Sequence, residues 1–119
     1  MKFSHATIQT VKFEEEIKFF QEHVGLKITA DFRERGMNIV FLSDKEGDTA
    51  IEIINNPSAA SSGNENFSIG FDATDLESKR DELIKEGFKV TEITSPAPTV
   101  RFFFVTDPAG VTVQFKTAL

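Results

Sequence analysis

Few side chains in this sequence can do chemistry, and their spacing is uneven. There are two histidines, His5 and His23, and no Cys, Tyr or Trp, against thirteen Phe. Without Cys the chain cannot use disulfides or thiolate metal sites, which suits a reducing cytoplasm. Phenylalanine rings pack and stack but form no hydrogen bonds, so polar recognition must come from other residues. Two alternating stretches supply it. His5, Thr7 and Gln9 share one side of a segment whose other side carries Ala6 and Ile8, and Ser68, Gly70 and Asp72 alternate with Ile69 and Phe71. In Phe102-Phe103-Phe104 neighbouring rings must take opposite faces of a strand, and Phe103 is the ring expected toward a ligand. Arg101 alternates with these rings and could either hold a substrate carboxylate or stand exposed at an edge. Two groupings have ordinary explanations. Glu14-Glu15-Glu16 suits a solvated helix start, and His23 suits a helix C-terminus.

The elements that would position these groups are legible in the patterning. Phe3 to Thr10 reads as a half-buried strand. Phe13, Ile17, Phe20 and Val24 fall at helical spacing, with Gly25 placed to end the helix. Extended runs follow at Leu26 to Arg33, Met37 to Ser43 and Thr49 to Asn55, separated by turns at Glu34-Arg35-Gly36 and Asp44 to Asp48. After a stretch rich in Asn, Ser, Gly and Ala the order repeats. Phe67 to Ala73 is a strand, and Thr74-Asp75-Leu76-Glu77 matches a capping box. Leu76, Leu83 and Ile84 give the second helix its stripe, and Gly87 closes it. Strands are then expected at Phe88 to Thr94, Val100 to Val105 and Val111 to Thr117. Ser95-Pro96-Ala97-Pro98 and Asp107-Pro108-Ala109-Gly110 are the connections.

The fold class is therefore α+β, with two βαβββ modules at about 1–56 and 66–119 in one domain of residues 1–119, joined by a linker at 57–65. Gly25-Leu26 matches Gly87-Phe88, and Phe41-Leu42-Ser43-Asp44 matches Phe104-Val105-Thr106-Asp107, which points to duplication. A ferredoxin-like topology ranks second, because its halves have fewer strands after the helix. The formal charge of −6 disfavours nucleic acid and anionic membranes as partners. No apolar run approaches the length needed to span a bilayer, which fits a soluble, cytoplasmic protein.

The chain resembles the vicinal oxygen chelate superfamily, which includes glyoxalase I, bleomycin-resistance proteins and extradiol dioxygenases. The likeness rests on Ser4-His5-Ala6-Thr7-Ile8, Phe19-Phe20-x-x-x-Val24-Gly25-Leu26, Ala50-Ile51-Glu52-Ile53, Phe67-Ser68-Ile69-Gly70-Phe71 and Asp107-Pro108-x-Gly110-x-x-x-Gln114-Phe115. It implies curved mixed sheets of four strands enclosing a ligand cavity. Four positions that can ligate a divalent ion in such proteins match His5, Glu52, Ser68 and Gln114. His5 and Glu52 suit zinc, nickel or manganese; Ser68 and Gln114 stand where His and Glu are usual and are weak ligands.

By that resemblance the leading expectation is a small-molecule-binding protein with a degenerate metal site. It would work as a homodimer, with Thr7, Gln9, Ser68, Asp72, Arg101, Phe103 and Gln114 contacting the ligand. The alternative is a metal-dependent lyase or isomerase in which His5 and Glu52 hold the ion and Glu52 is the catalytic base. Glyoxalase I activity is disfavoured because Gln114 cannot move a proton, and extradiol dioxygenase activity because a triad of two His and one carboxylate is missing. A vestigial or partner-binding module is the third possibility.

Overall fold

A computed structural model describes residues 1–60 and 66–118. The chain divides into two compact units, Met1–Ser61 and Ser62–Leu119, and the division falls within the expected linker, of which residues 61–65 lie outside the described residues. Before it, Asn56 organises a turn: its Oδ1 accepts from the Ser58 amide at 2.9 Å and its carbonyl from Ala59 at 3.0 Å.

The first unit runs β1 (His5–Thr10), α1 (Phe13–Phe19, continued by a π-helical turn at Phe20–Val24), β2 (Lys27–Asp31), a 3₁₀ turn at Arg33–Arg35, β3 (Ile39–Ser43) and β4 (Ala50–Asn55). Its sheet has the order β1-β4-β3-β2, with β1 parallel to β4 and the other pairs antiparallel. Ile8, Val40, Leu42 and Ile53 are buried with Phe13, Ile17 and Phe20, and α1 packs against β4. The helix departs from the sequence pattern at two places. Glu16, expected at a solvated helix start, is fully buried, while Glu14 and Glu15 stay exposed. At the other end the wider π-helical winding turns His23 inward, its ring 5.4 Å from Phe19, and leaves Val24 half-buried. Gly25 ends the turn at φ +82°, a left-handed conformation that suits glycine. Beyond β2, the Arg33 guanidinium grips the Asp31 carboxylate and lowers its pKa to about 2.

The second unit repeats the plan: β5 (Ser68–Asp72), α2 (Leu76–Lys85), β6 (Thr94–Ala97), β7 (Val100–Thr106) and β8 (Thr112–Lys116), in the sheet order β5-β8-β7-β6. Leu76 and Leu83 of α2 are buried, and α2 packs on β7; Ile84, expected in the stripe, is exposed. The helix starts one residue later than the capping-box pattern implies. Asp75, not Thr74, is the N-cap, its Oδ1 accepting from the Ser78 amide at 3.0 Å, while Glu77 is drawn instead to Arg101.

The expected strand at Phe88 to Thr94 is not regular. Val90 makes a single bridge to Val105, and the regular pairing with β7 begins only at Thr94, so Ser95-Pro96-Ala97 is strand and not a connection. Pro96 is tolerated there because β6 is an edge strand with no outer partner in its sheet. The β7–β8 turn explains its Asp-Pro-x-Gly sequence. Asp107 Oδ1 accepts from the Ala109 and Val111 amides at 2.9 and 2.8 Å, and Gly110 takes φ +87°. Among the described residues no helix is long and apolar enough to cross a membrane.

Candidate functional site

In the first unit, parallel pairing sets Thr7 opposite Glu52, and antiparallel pairing sets Phe41 opposite the same residue. Side chains at paired positions share a face, so His5, Thr7, Gln9, Phe41 and Glu52 stand together while Ile8, Val40 and Ile53 enter the core. The Thr7 hydroxyl donates to Glu52 Oε1 at 2.6 Å. His5 Nε2 lies 3.5 Å from the same oxygen, and His5 Nδ1 is 2.9 Å from Ser4 Oγ. The Phe41 ring meets the imidazole edge-on, with centroids 5.3 Å apart. The Glu52 side chain is only 15% exposed against 36% for His5, so the carboxylate is the group that needs donors; the Thr7 hydroxyl supplies one, with the His5 ring nitrogen 3.5 Å away. Gln9 is engaged at the far end, its Oε1 accepting from Asn56 Nδ2 at 2.8 Å.

Beside this array is an open surface pocket of about 280 Å³, lined by Lys2, Ser4, Thr29, Ala30, Phe41, Glu46 and Asp48 among others. Its wall is fixed by the N-terminal segment. Lys2 donates to the Gly47 carbonyl, Thr49 Oγ1 to the Phe3 carbonyl at 2.7 Å, and the Ala50 amide to the Ser4 carbonyl at 3.0 Å.

The second unit uses the same register with other residues. Gly70 lies opposite Gln114, Asp72 opposite Lys116, and Phe104 opposite Gln114 from β7. Ser68, Gly70, Asp72, Gln114 and Lys116 therefore share a face with Phe102 and Phe104, whose rings pack edge-on at 5.5 Å. A Cβ on Gly70 would come within 3.2 Å of Gln114 Oε1, so the carboxamide lies against bare backbone. Lys116 Nζ pairs with Asp72 Oδ1 at 2.5 Å.

Two residues expected among the ligand contacts are elsewhere. Phe103 is fully buried on the opposite face, 5.6 Å from Phe115, because the face of Gln114 belongs to Phe102 and Phe104. Arg101 alternates with Phe102 and so points to the helix side, where it pairs with Glu77 and holds that carboxyl below the usual carboxylate range. Phe41, Phe102, Phe104 and Lys116, not expected as contacts, stand on these faces, and Ser4 lines the pocket. The match of Phe41 to Phe104 carried the signal for the rings, since both lie opposite the Glu52 and Gln114 positions.

Residues 2–115 match the family model described as Glyoxalase/Bleomycin resistance protein/Dioxygenase superfamily. A comparison with curated protein sequences finds no match. Among solved structures the chain is similar to the trypanothione-dependent glyoxalase I of Leishmania major, at 20% identity and TM-score 0.79 over 98% of this chain and 86% of that one. It is also similar to TnmS3, an antibiotic-binding protein from Streptomyces sp. CB03234, at 17% identity and TM-score 0.74 over 100% and 97% of the two chains. A third is lactoylglutathione lyase from Agrobacterium tumefaciens, at 16% identity and TM-score 0.67 over 98% and 93%. At these identities the structural likeness speaks for the fold alone. Joined to the family match over residues 2–115 and to two four-stranded sheets of one repeated order, it makes the chain a member of the glyoxalase/bleomycin resistance protein/dioxygenase superfamily.

Proposed function

We propose that this chain is a small-molecule-binding protein whose metal site is degenerate. The observation that carries the reading is the composition of the register positions: His5 and Glu52 in the first unit, Ser68 and Gln114 in the second. A tightly held divalent ion needs three or four strong donors. His5 and Glu52 are two, they face each other, and among the described residues no third His, Cys, Asp or Glu joins them. A hydroxyl and a carboxamide add little. The residues present do not fit a resident metal, and no step of the proposed function runs through one.

What the faces offer instead is hydrogen bonding and stacking. Glu52 accepts from a ligand N–H; Thr7, Gln9, Ser68, Asp72 and Gln114 supply neutral or compensated polar contacts; Phe41, Phe102 and Phe104 supply rings. The likeness to an antibiotic-binding protein supports this class of function. Exposed Phe3 and Phe67 support a homodimer, and the absence of Cys supports a cytoplasmic setting. The metal-dependent lyase or isomerase reading draws on the approach of His5 to Glu52, with Glu52 as base.

A thermal-shift screen of the native dialysed protein against aromatic amines and antibiotics, run with and without a chelator, separates the two. Binding predicts a rise in Tm that survives the chelator and shrinks in Glu52→Gln. A rise seen only after zinc or nickel is added overturns it in favour of the metalloenzyme.

A further inference from the structure

We propose that Ser4, His5 and Glu52 form a nucleophilic array that transfers the acyl group of a small ester to Ser4 and then to water, an activity separate from ligand binding. The geometry is that of a nucleophile, a base and an orienting acid. Ser4 Oγ is 2.9 Å from His5 Nδ1, within the reach at which an imidazole takes a hydroxyl proton. The other ring nitrogen, Nε2, faces Glu52 Oε1 at 3.5 Å. A carboxylate at that side favours the tautomer with the proton on Nε2, which leaves the Nδ1 lone pair directed at Ser4. At 3.5 Å the carboxylate acts on the imidazole through charge and not through a formed hydrogen bond.

Two further contacts hold the array. Thr7 Oγ1 donates to Glu52 Oε1 at 2.6 Å and restricts the carboxylate, and the Phe41 ring limits rotation of the imidazole from 5.3 Å. The nucleophile also has a place to act, because Ser4 lines the open pocket of about 280 Å³. Phe41, Ala30 and Ala50 give that pocket an apolar wall suited to a small acyl chain. Lys2 brings a cation to the same space, beside the carboxylates of Glu46 and Asp48.

In the reaction Ser4 Oγ bonds to the ester carbonyl carbon and its proton passes to His5 Nδ1. The carbon–oxygen bond to the leaving alcohol breaks, and the alcohol takes up that proton. Water, giving a proton to His5, then attacks the acyl-Ser4 ester; the carboxylic acid departs and Ser4 regains its hydrogen. No oxidant, metal or cofactor enters the balance.

The test uses the native full chain, a fluorophosphonate probe to trap the nucleophile, and p-nitrophenyl acetate to follow turnover. Intact-mass and peptide mapping are expected to place one phosphonyl group on Ser4. Labelling should vanish in Ser4→Ala, fall at least about 100-fold in His5→Gln, fall less in Glu52→Gln, and stay unchanged in Ser58→Ala. Circular dichroism checks that each variant folds, which the exposure of Ser4 and His5 favours. Absence of label on Ser4, or equal labelling of the native protein and His5→Gln, overturns the proposal. Either result leaves the ligand-binding reading standing, because that reading is decided by the thermal-shift screen.

Discussion

In the first unit the β1–β4 pair sets a threonine hydroxyl against a carboxylate, Thr7 on Glu52, while at the same register the β5–β8 pair sets a glycine against a carboxamide, Gly70 against Gln114. The backbone plan is shared down to the ring on the third strand, Phe41 in one unit and Phe104 in the other. The electrostatics are not shared. A mostly buried carboxylate must be given donors, and the first unit provides a hydroxyl, with an imidazole 3.5 Å away. A neutral amide makes no such demand, so its neighbour can shrink to hydrogen, and the charges next to it on that face, Asp72 and Lys116, pair with one another. Duplicated folds keep the register because the core depends on it, and they are free to change the chemistry displayed on the other face.

The largest effect expected from this comparison concerns the register itself. If β7 repeats β3, Phe103 corresponds to Val40 and belongs to the core, with Phe102 and Phe104 outside it. Phe103→Ala should then cost about 3–5 kcal/mol in denaturant unfolding, while Phe104→Ala costs far less. Similar losses for the two would break the equivalence of the sheets.

A smaller effect sharpens the electrostatic contrast. Thr7→Val removes a charge-assisted hydrogen bond and should cost about 1–2 kcal/mol, because Glu52 keeps His5 and some hydration. Gly70→Ala asks only that a flexible carboxamide yield a few tenths of an ångström, while the unfolded chain loses freedom; its net effect should lie within about 0.5 kcal/mol of zero. Equal costs at the two positions would show that the carboxylate imposes no special demand.

Much of this was legible in the amino-acid sequence. The repeated order of elements followed from glycine stops, helical stripes and the Asp107-Pro108-Ala109-Gly110 turn. The polar alternation of His5, Thr7 and Gln9, and of Ser68, Gly70 and Asp72, fixed the exposed faces of β1 and β5. What escaped were positions that depend on partners in space. Phe103 and its neighbours are chemically identical, and only pairing with β8 decides which of them meets Gln114. Arg101 found a carboxylate on α2, an encounter set by packing and not by spacing. Glu16 and His23 sit on the inner side of α1 and its π-helical extension, and the change in helical winding cannot be read from periodicity. The sixth strand was expected too early: Phe88 to Thr94 has strand composition, but Val90 makes an isolated bridge and ladder pairing with β7 starts at Thr94.

The most direct measurement is the metal content and zinc affinity of the untagged native protein, by elemental analysis and calorimetric titration. Two strong donors predict far less than one metal per chain after dialysis, with weak zinc binding that weakens further in His5→Ala. One equivalent of zinc, nickel or manganese retained through dialysis against a chelator by the native protein, and lost in His5→Ala, would contradict the account, because it would mean that this donor set suffices for a resident ion.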